Sequence, residues 1–581
     1  MRDLSEAPAR ALVPSRWSSL VFETKAWGLR LARAGREHWQ GRPTRHRTGQ
    51  ALRDAPVLAE FEGALWPGDE TDPRLVAGKI QNLRLAIASL HGLEVPAGAV
   101  FSFWRQLGRA SARRGFVLGR ELREGCIVPA IGGGLCQLSN AIYDSAVRAG
   151  LEVVERHRHS RVLPGSLAEL DRDATVFWNY LDLRLRAGFA WRLDVAMDET
   201  TVRVRIRARD NLPSGALPLQ VGRRAADASN DCSSCDEHSC HRHIGAGNLR
   251  AHRTWLIDED WPEFRAYLQD QRGEDDRVLG SVQVQPTLAT RLARAWAWLG
   301  WRIALWRRQP IPKARTQRQG QIAQMLASQL DPEDLHLVVS QGLLPYLWQS
   351  GVLAGRRFDV LMSALPMTAI QQQLDRAAAR HPNSPTLSDF RAPTWLVTAE
   401  REALAQARRW ISPHTGICGL AAARAEPLPW AAAPAITTPQ PERAAVGAPD
   451  ERLRIFFPAS ALARKGALEL REAVRGLPVV LLLPPGASEA PDFWQGFAIE
   501  RVATFADGLT RAQVVVLPAW VEHQPRGLLA AMARGLPVIA TAACGLPRTA
   551  QWQCVEEGDV EALRASLRQW QRVSAVSLEP A

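Results

Sequence analysis

Residues 518–541 carry the clearest structural signal of the chain: Pro518-Ala-Trp-Val-Glu522-His-Gln-Pro-Arg526-Gly-Leu-Leu-Ala530-Ala-Met-Ala-Arg-Gly-Leu-Pro-Val-Ile-Ala-Thr541. This pattern predicts a strand end, a turn, a short helix and a second strand, because a brief apolar run bounded by Gly and Pro is too short for a helix. Strands of this kind interleaved with helices are typical of a parallel sheet covered on both faces. Ligands of such sheets lie at the carboxyl ends of the strands.

The same alternation extends towards the N-terminus and predicts two α/β halves, at residues 330–445 and 446–581. The weaker first half has strand-like runs at Leu335–Val339, Val360–Met362 and Trp410–Ile411. The second has predicted strands at Leu453–Phe457, Val479–Leu483, Ala498–Val502, Val514–Leu517 and Val538–Thr541, and predicted helices at Gly466–Val474 and Gly527–Ala533. A Pro/Ala-rich linker, Pro427–Pro449, separates the halves.

The C-terminal region resembles the retaining GT-B glycosyltransferases, in which two glutamates bracket seven residues before an Ala-Met-Ala-x-Gly-x-Pro run. That pattern aligns without a gap from Glu522 onward. The resemblance implies GT-B-like Rossmann halves with parallel sheets, a helix starting near Arg526 whose N-terminus faces a nucleotide-sugar diphosphate, and Glu522 as the ligand of donor hydroxyls. Phe457–Gly466 looks like the family's phosphate loop, which implies that Lys465 neutralises the leaving pyrophosphate.

Two positions depart from the family pattern, since the second glutamate is Ala530 and the loop arginine is Ser460. Both losses remove charge-assisted contacts, which are the strong ones. Arg464 and Arg526 are the nearby cations that can substitute. The expected nucleotide-sugar-binding residues are Ser460, Arg464, Lys465, Gly466, Glu522, Arg526 and Gly527, and Lys465 and Glu522 are also expected to be catalytic. The first half is short, so we expect a reduced acceptor side.

A second chemical signal lies in the predicted α+β domain at residues 57–210. The run Gly132-Gly-Gly-Leu-Cys136 places a cysteine at the start of a predicted helix, where backbone amides and the helix dipole favour the thiolate. His157 and His159 follow further along, and a cysteine beside a histidine is the minimum for nucleophilic acyl transfer. The alternative is a buried structural cysteine with locally bonded histidines, and spacing does not decide between them.

Five segments of this domain resemble the VanW family in order and spacing, over roughly residues 75–208. They are Asn82–Ala86, Gly98–Phe103, Gly132–Ser139, Glu155–Ser160 and Asp173–Val176. The positions that match the family motif are Cys136, Gln137, His157, His159, Asp173 and Asp182. The resemblance implies a link to the cell envelope and names no reaction.

A Cys/His-rich insert at residues 211–255 contains Cys232-Ser-Ser-Cys235-Asp-Glu-His238-Ser-Cys240-His241-Arg-His243. Cys-x2-Cys is the spacing of two ligands of a tetrahedral zinc, so we expect structural zinc held by Cys232, Cys235, Cys240, His241 and His243. An iron–sulfur cluster or a flexible insert without metal are the alternatives.

The 581 residues carry a formal charge of +12, but only Lys25, Lys79, Lys313 and Lys465 are lysine, and the arginines are dispersed. No nucleic-acid-binding motif is present, so no such partner is expected. The basic arm at residues 1–56 lacks the apolar core of a secretory signal, which favours the cytoplasm. Trp and Arg alternate in Arg291–Arg308, within a predicted helical connector at 256–329, and predict either peripheral contact with the inner membrane or packing on the next domain.

Three functions remain open from the sequence. The first is a VanW-like domain fused to a retaining glycosyltransferase that moves a sugar from a nucleotide-sugar to a glycan, envelope-precursor or lipid-linked acceptor. The second is a non-catalytic scaffold with a degenerate GT-B half that binds glycan or nucleotide. The third is thiol acyl transfer at Cys136 with His157 or His159.

Overall fold

The computed structural model describes residues 16–66, 73–123, 126–159, 162, 166–209, 223–224, 252–280, 311–431, 452–547 and 552–576. The chain forms two compact units. The first consists of Met1–Arg253 with Gln329–His336 and Ser350–Arg357, and the second of Thr254–Ser328, Leu337–Gln349 and Phe358–Ala581. No helix in the part of the chain that the structure describes has the length and apolarity needed to cross a membrane.

The first unit is built around a five-stranded antiparallel sheet. Its strand order is Arg47–Thr48, Leu93–Val95, Trp191–Met197, Thr201–Arg207 and Val57–Ala64. Buried and half-buried side chains alternate along Thr201–Arg207, because a strand with one face on the core buries every second residue. The predicted basic arm is therefore part of this fold, since it supplies a strand and the helix Arg16–Gln40.

Helices cover the core face of this sheet and carry the glycine–cysteine turn. They are Pro73–Leu90, Phe103–Leu107 and Leu135–Arg148. Two smaller antiparallel sheets complete the unit, one of Val100–Ser102, Arg184–Arg186 and Glu152–Glu155, the other a hairpin of Leu118–Arg123 and Cys126–Ile131. Helices and antiparallel sheets share one core around Leu83, Ile142 and Trp191, which confirms the predicted α+β class.

The second unit contains two six-stranded sheets, and the strand pairs whose register is defined are parallel. The first sheet has the order Arg277–Gly280, Arg253–Ile257, His336–Ser340, Arg357–Leu361, Arg409–Ser412 and Ala425–Pro427. The helices of this half are Pro262–Gln271, Ile311–Ala327, Leu344–Gln349, Met367–Arg380, Thr394–Gln406 and Thr415–Leu420. The predicted helical connector at 256–329 is thus wrong in part, because the strand Arg277–Gly280 and the end of the strand Arg253–Ile257 lie within it.

The second sheet has the order Ile499–Arg501, Val479–Leu483, Leu453–Phe456, Val514–Leu517, Val538–Thr541 and Trp552–Val555. Its helices are Ala467–Ala473, Phe505–Arg511, Arg526–Ala533 and Val560–Val576. Val479–Leu483 is buried at every position, as expected for a strand covered on both faces. The predicted pair of Rossmann-like halves with parallel sheets is confirmed.

The order of the second sheet fixes where a ligand site can form. The chain starts at Leu453–Phe456, proceeds to one edge, and then returns to place Val514–Leu517 on the other side of that first strand. The loops that follow these two strands therefore diverge and leave a crevice between them, which is the usual ligand site of open parallel sheets.

Candidate functional site

The crevice of the second sheet brings together the two loops that the sequence singles out. Lys465 ends a short 3-10 turn, Ala463–Lys465, in the loop after Leu453–Phe456, and Glu522 lies in the loop after Val514–Leu517. The lysine Nζ lies 2.9 Å from the Glu522 Oε2 atom and 3.2 Å from the Val521 carbonyl oxygen. The two residues predicted to be catalytic in this half thus form one ion pair.

Gly466 allows this close approach of the two loops. It has a φ of +76°, which favours glycine, and a Cβ atom there would lie 2.0 Å from the Pro518 carbonyl oxygen. Gly527 has a similar role at the start of the motif helix, because a Cβ atom there would meet the Phe505 ring at 2.4 Å. The two predicted glycines therefore shape the crevice.

Glu522 is buried and remains ionised. Burial raises the pKa of its carboxyl, but the charge and hydrogen bond of Lys465 outweigh that effect and lower it. Its Oε1 atom accepts hydrogen bonds from the backbone amides of His523 and Gln524, each at 2.9 Å. Since both oxygens have protein partners, a sugar hydroxyl would have to share or replace one of them.

Arg464 adds a second cation beside this pair. Its guanidinium lies over the Phe390 ring, 5.1 Å from the centroid, and its Nη1 atom is buried without a hydrogen-bond partner. His523 also has a buried Nδ1 atom without a partner. Burial and the charge of Lys465 lower the pKa of His523 to about 3, so its ring is neutral. Unsatisfied buried nitrogens next to a lysine are groups that a phosphate can satisfy.

Arg526 does not supply the free charge that the sequence suggests. Its guanidinium pairs with the fully buried Glu263 carboxylate at 2.6 and 2.7 Å and lies over the rings of Trp261 and Trp430. Because both ends of its guanidinium fork are engaged, Arg526 holds a segment of the first half against the motif helix. Of the two proposed substitutes for the missing arginine, the geometry favours Arg464.

The departures from the family pattern are visible in the packing. Ser460 lies against Gly486, where an added Cβ atom would be 2.8 Å from the Ser460 Oγ atom. Ala530 lies on the motif helix and packs on the core. Neither side chain contributes a charge.

His414 joins the first half to this crevice, a role that the sequence did not assign. Its Nε2 atom lies 3.2 Å from both the Glu522 and the Ala543 carbonyl oxygens, while its Nδ1 atom accepts a hydrogen bond from the Ile417 amide. Burial lowers the pKa of this imidazole. A neutral ring with Nε2–H donating satisfies all of these contacts, so His414 positions the backbone of Glu522.

In the first unit, Cys136 is the second residue of the helix Leu135–Arg148, directly after the glycine turn. Gly134, with a φ of +96°, precedes the helix and gives it no side-chain cap. The half-buried thiol donates to the Val176 carbonyl oxygen at 3.7 Å, and Cys136 is one of the neighbours that raise the pKa of the His159 ring. The structure therefore brings Cys136 beside an imidazole, as thiol chemistry requires.

The two predicted histidines occupy different environments. His159 Nδ1 lies 2.7 Å from Oδ2 of the fully buried Asp173, whereas His157 Nε2 lies 3.1 Å from the Glu155 carboxylate. Of the two alternatives, the contacts favour His159 as the partner of Cys136, because Cys136 acts on the pKa of His159 whereas His157 is engaged by Glu155. Burial lowers the pKa of His159, but the hydrogen bonds to Asp173 and Cys136 outweigh it and raise that pKa to about 9.

The other family-matched positions support the surrounding structure. Gln137 donates to the Ala64 carbonyl oxygen at 2.6 Å. Asp182 accepts from the Ser102 hydroxyl at 2.6 Å and from the Trp104 amide at 3.1 Å, away from Cys136.

Two family models match separate parts of this chain. Residues 78–207 match the model of the VanW like protein family, and residues 493–571 match that of Glycosyl transferases group 1. The chain therefore contains a VanW domain and a glycosyl transferase group 1 domain. Glu522, His523 and Arg526 fall inside the second match, while Cys136, His159 and Asp173 fall inside the first.

Two curated proteins are similar to the VanW domain. The uncharacterized protein YoaR of Bacillus subtilis (strain 168) is 30% identical over 105 residues, which are 18% of this chain and 34% of YoaR. The vancomycin B-type resistance protein VanW of Enterococcus faecalis (strain ATCC 700802 / V583) is 32% identical over 111 residues, 19% of this chain and 40% of that protein. The chain thus spans well under half the length of either relative.

Solved structures of glycosyltransferases are similar to the other part of the chain. Sucrose-phosphate synthase (tll1590) from Thermosynechococcus elongatus has a TM-score of 0.36 at 17% identity, over 56% of this chain and 92% of that one. WaaG, a glycosyltransferase involved in lipopolysaccharide biosynthesis, has a TM-score of 0.31 at 13% identity, over 55% and 90%.

One polar residue of the second unit was missed by sequence reasoning. Asp258 directly follows the strand Arg253–Ile257, beside the strand that ends at Ser340, at the point where the order of the first sheet reverses. Its Oδ2 atom accepts from Gln319 at 3.0 Å, and its Oδ1 atom is buried without a partner. Burial and the neighbouring Glu259 raise its pKa to about 6. The signal was an aspartate after a buried strand, but that strand itself was not predicted.

The predicted zinc ligands Cys232, Cys235, Cys240, His241 and His243 lie outside the residues that the structure describes, as does Arg291–Arg308. Among the described residues, no group of three or more His, Cys, Asp or Glu side chains is arranged to hold a metal ion. The zinc site and the membrane contact stay predictions.

Proposed function

We propose that the C-terminal half is a glycosyltransferase that moves a sugar from a nucleotide-sugar to a glycan or lipid-linked acceptor. The observation that carries the proposal is the Lys465–Glu522 pair at the reversal point of the second sheet, within and beside a matched glycosyl transferase group 1 domain. A fold does not by itself imply turnover, which depends on the chemistry of this crevice.

The donor diphosphate is the group that this crevice suits. Lys465 and Arg464 offer positive charge, and Arg464 has a buried nitrogen without a partner. The first amides of the helix Arg526–Ala533, which has no side-chain cap, add partial positive charge at the same rim. A diphosphate that leaves the sugar gains negative charge, and fixed cations placed there stabilise it in the transition state.

Glu522 would then act as the acceptor of donor hydroxyls once the diphosphate engages Lys465. His523, held neutral, can donate or accept a hydrogen bond without adding charge. We further propose that the transfer retains the anomeric configuration of the sugar, supported by the alignment from Glu522 onward. The hydrogen bond of His414 to the Glu522 carbonyl oxygen keeps the Glu522 backbone in place. Proton NMR of the first-formed product measures the anomeric outcome, and an inverted product contradicts it.

A thermal-shift and hydrolysis screen against a panel of nucleotide-sugars tests the main proposal. A donor present at 100 times its Kd stabilises the folded chain by about 2.7 kcal/mol whether or not turnover follows. A rise in Tm with one donor, together with its hydrolysis or transfer, supports the enzyme. Stabilisation without turnover supports the binding scaffold instead, which Ser460, Ala530 and the engaged Arg526 favour. No shift with any donor overturns both.

We also propose that the cysteine-rich insert holds structural zinc, on the ligand spacing from Cys232 to His243. Elemental analysis of protein without a histidine tag should find about one zinc per chain. The double substitution Cys232→Ser/Cys235→Ser should remove it, and an unchanged metal content contradicts the proposal.

We propose a cytoplasmic location with peripheral contact at the inner membrane through Arg291–Arg308, on the basis of its Trp and Arg pattern. Flotation with anionic vesicles tests the contact, and binding that survives substitution of the four tryptophans in Arg291–Arg308 contradicts it.

A further inference from the structure

The VanW domain contains a second cluster of reactive groups, formed by Cys136, His159 and Asp173. The cysteine lies in the first turn of a helix and donates to the Val176 carbonyl oxygen at 3.7 Å. Three residues before Val176, the buried carboxylate of Asp173 lies 2.7 Å from the ring of His159, whose pKa both Asp173 and Cys136 raise. We propose that this cluster is a thiol acyl-transfer site that acts on an amide or ester. The proposal does not depend on the glycosyltransferase activity of the other half.

The geometry fixes the orientation of the imidazole. Asp173 Oδ2 accepts from both the backbone amide and the Nδ1 atom of His159, so the ring cannot turn away without losing two bonds. The Nε2 atom is then left to exchange a proton with the Cys136 thiol. This is the arrangement in which a carboxylate sets the tautomer of a general base and stabilises its protonated form.

The segment that carries Asp173 is tied to the helix that carries Cys136. Ser139 Oγ donates to the Ala174 carbonyl oxygen at 2.6 Å, and Asn140 Oδ1 accepts from the Ala174 amide at 2.7 Å. Both bonds start within one turn of the cysteine. Distances within the cluster are thus set by secondary structure, as a preorganised site requires.

Charged neighbours surround the cluster on the side of Asp173. Arg156 Nη2 lies 3.0 Å from Asp173 Oδ1 and Arg224 Nη1 lies 3.8 Å away, and Arg156 also pairs with Asp171. Burial raises the pKa of Asp173, but the hydrogen bonds and charge of His159, followed by the charge of Arg156, outweigh it and lower that pKa to about 2. Asp173 is therefore an anion throughout the pH range of the tests below, and the groups that exchange the proton are Cys136 and His159.

The backbone beside the thiol supplies the remaining group. Gln137 donates the first helical hydrogen bond, to Gly134, so the amides of Leu135 and Cys136 precede the intrahelical series. Amides in this position stabilise a developing oxyanion. A side chain at residue 134 would meet Lys79 Cγ at 2.2 Å, which explains why the turn ends in glycine.

The reaction balances with water or an acceptor nucleophile as the co-reactant. The Cys136 thiolate forms a C–S bond with the carbonyl carbon, the C–N or C–O bond breaks, and the leaving nitrogen or oxygen takes the proton from His159. Water or an amine or hydroxyl acceptor then attacks the thioester, gives its proton to His159, and releases the thiolate. Asp173 positions the imidazole and is not itself protonated.

Iodoacetamide and p-nitrophenyl acetate, applied to the full chain, test the proposal. At pH 6 a thiol with the reference pKa of about 8.5 is less than about 1% ionised, so a stable thiolate–imidazolium pair should alkylate about 100-fold faster. The His159→Asn variant should lose most of this increase in alkylation rate. The His157→Asn variant should keep it, because His157 lies two residues from His159 and contacts Glu155 instead. The acetyl group of the ester should appear on Cys136 as a thioester by mass spectrometry, with release of p-nitrophenol, and should be absent from the Cys136→Ser variant.

The wild-type pH profile keeps the test decisive even where a variant folds poorly. Alkylation that stays fast down to pH 6 supports the pair, whereas a tenfold fall per pH unit below about 8.5 marks an ordinary thiol and overturns the proposal. Equal rates in wild type and a folded His159→Asn variant overturn it as well. The Asp173→Asn variant should turn over the ester more slowly while Cys136 remains available for alkylation, because the role of Asp173 is to position His159.

Discussion

The two candidate sites of this chain differ in where their charged groups come from. Cys136, His159 and Asp173 lie within one domain and are tied by bonds from neighbouring residues of one helix. The crevice of the glycosyl transferase half draws Lys465 and Glu522 from one sheet, and depends on His414 and Glu263 from the other. The first site is thus complete within its own domain, whereas the second requires both Rossmann halves to be in place.

This difference separates two kinds of electrostatic stabilisation. In the VanW domain an imidazole gains a proton because an anion and a thiol surround it. In the crevice a lysine and a glutamate satisfy each other, so a ligand that binds the lysine must compensate for the partner it displaces. The predictions below separate these cases, beginning with the largest effect.

Lys465→Met should destabilise the glycosyl transferase half most. It leaves the buried Glu522 carboxylate without its cation, and breaking a buried pair from one side costs about 3–5 kcal/mol. The double substitution Lys465→Met/Glu522→Gln should recover most of that loss. Urea unfolding measures both, and Lys25→Ala, at an exposed lysine of the other unit, is the control. Equal losses in the single and double variants contradict the pairing.

His159→Asn should lower stability in a pH-dependent way. Because the folded pKa of about 9 lies above the ordinary value of 6.5, the stabilisation is present below pH 6.5 and is lost as the pH rises through 9. The variant should be less stable by about 3 kcal/mol at pH 6 and similar to wild type above pH 9.5. The His157→Asn variant keeps the bond between His159 and Asp173, so its stability should change with pH as that of wild type does. A difference that does not change with pH argues against a charged ring.

Asp258→Asn tests the carboxyl at the reversal point of the first sheet. Its pKa of about 6 lies above the ordinary aspartate value of 3.8, so ionising it in the folded state is unfavourable and wild type loses stability as the pH rises through 6. The variant should be more stable than wild type by about 2 kcal/mol at pH 8 and unchanged near pH 4. Asp260→Asn, an exposed neighbour, is the matched control, and the same response from both variants contradicts the role of burial.

The sequence predicted the C-terminal strands well because each is a short apolar run between Gly or Pro. Val479–Leu483, Val514–Leu517 and Val538–Thr541 appear with the expected bounds. The strands Arg253–Ile257 and Arg277–Gly280 were missed, since each begins with an arginine and lies next to a polar insert or loop. Local patterning therefore located the sheet whose strands are most apolar.

The sequence singled out candidate site residues, but it did not predict the contacts that they make. The choice of His159 over His157 depends on Asp173, which lies on another segment and reaches the ring only after folding. The engagement of Arg526 depends on Glu263, which is 263 positions away in sequence. Such pairings are tertiary, so a single sequence carries no local signal for them.

The smallest predicted effect concerns the missing carboxylate of the crevice. Ala530 occupies the family's second glutamate position on the helix Arg526–Ala533, where it only packs on the core. Ala530→Glu should restore a hydrogen bond to the ribose hydroxyls, and one such charged bond contributes about 1.5 kcal/mol, or about tenfold in affinity. Calorimetry should therefore show tighter binding of a nucleoside diphosphate and unchanged binding of inorganic pyrophosphate, which has no ribose. Ala533→Glu, on the exposed side of the same helix, should change neither, because it adds the same charge away from the crevice. An equal gain for pyrophosphate, or none for the nucleotide, means that the helix does not face the ribose, and the proposed donor position is then wrong.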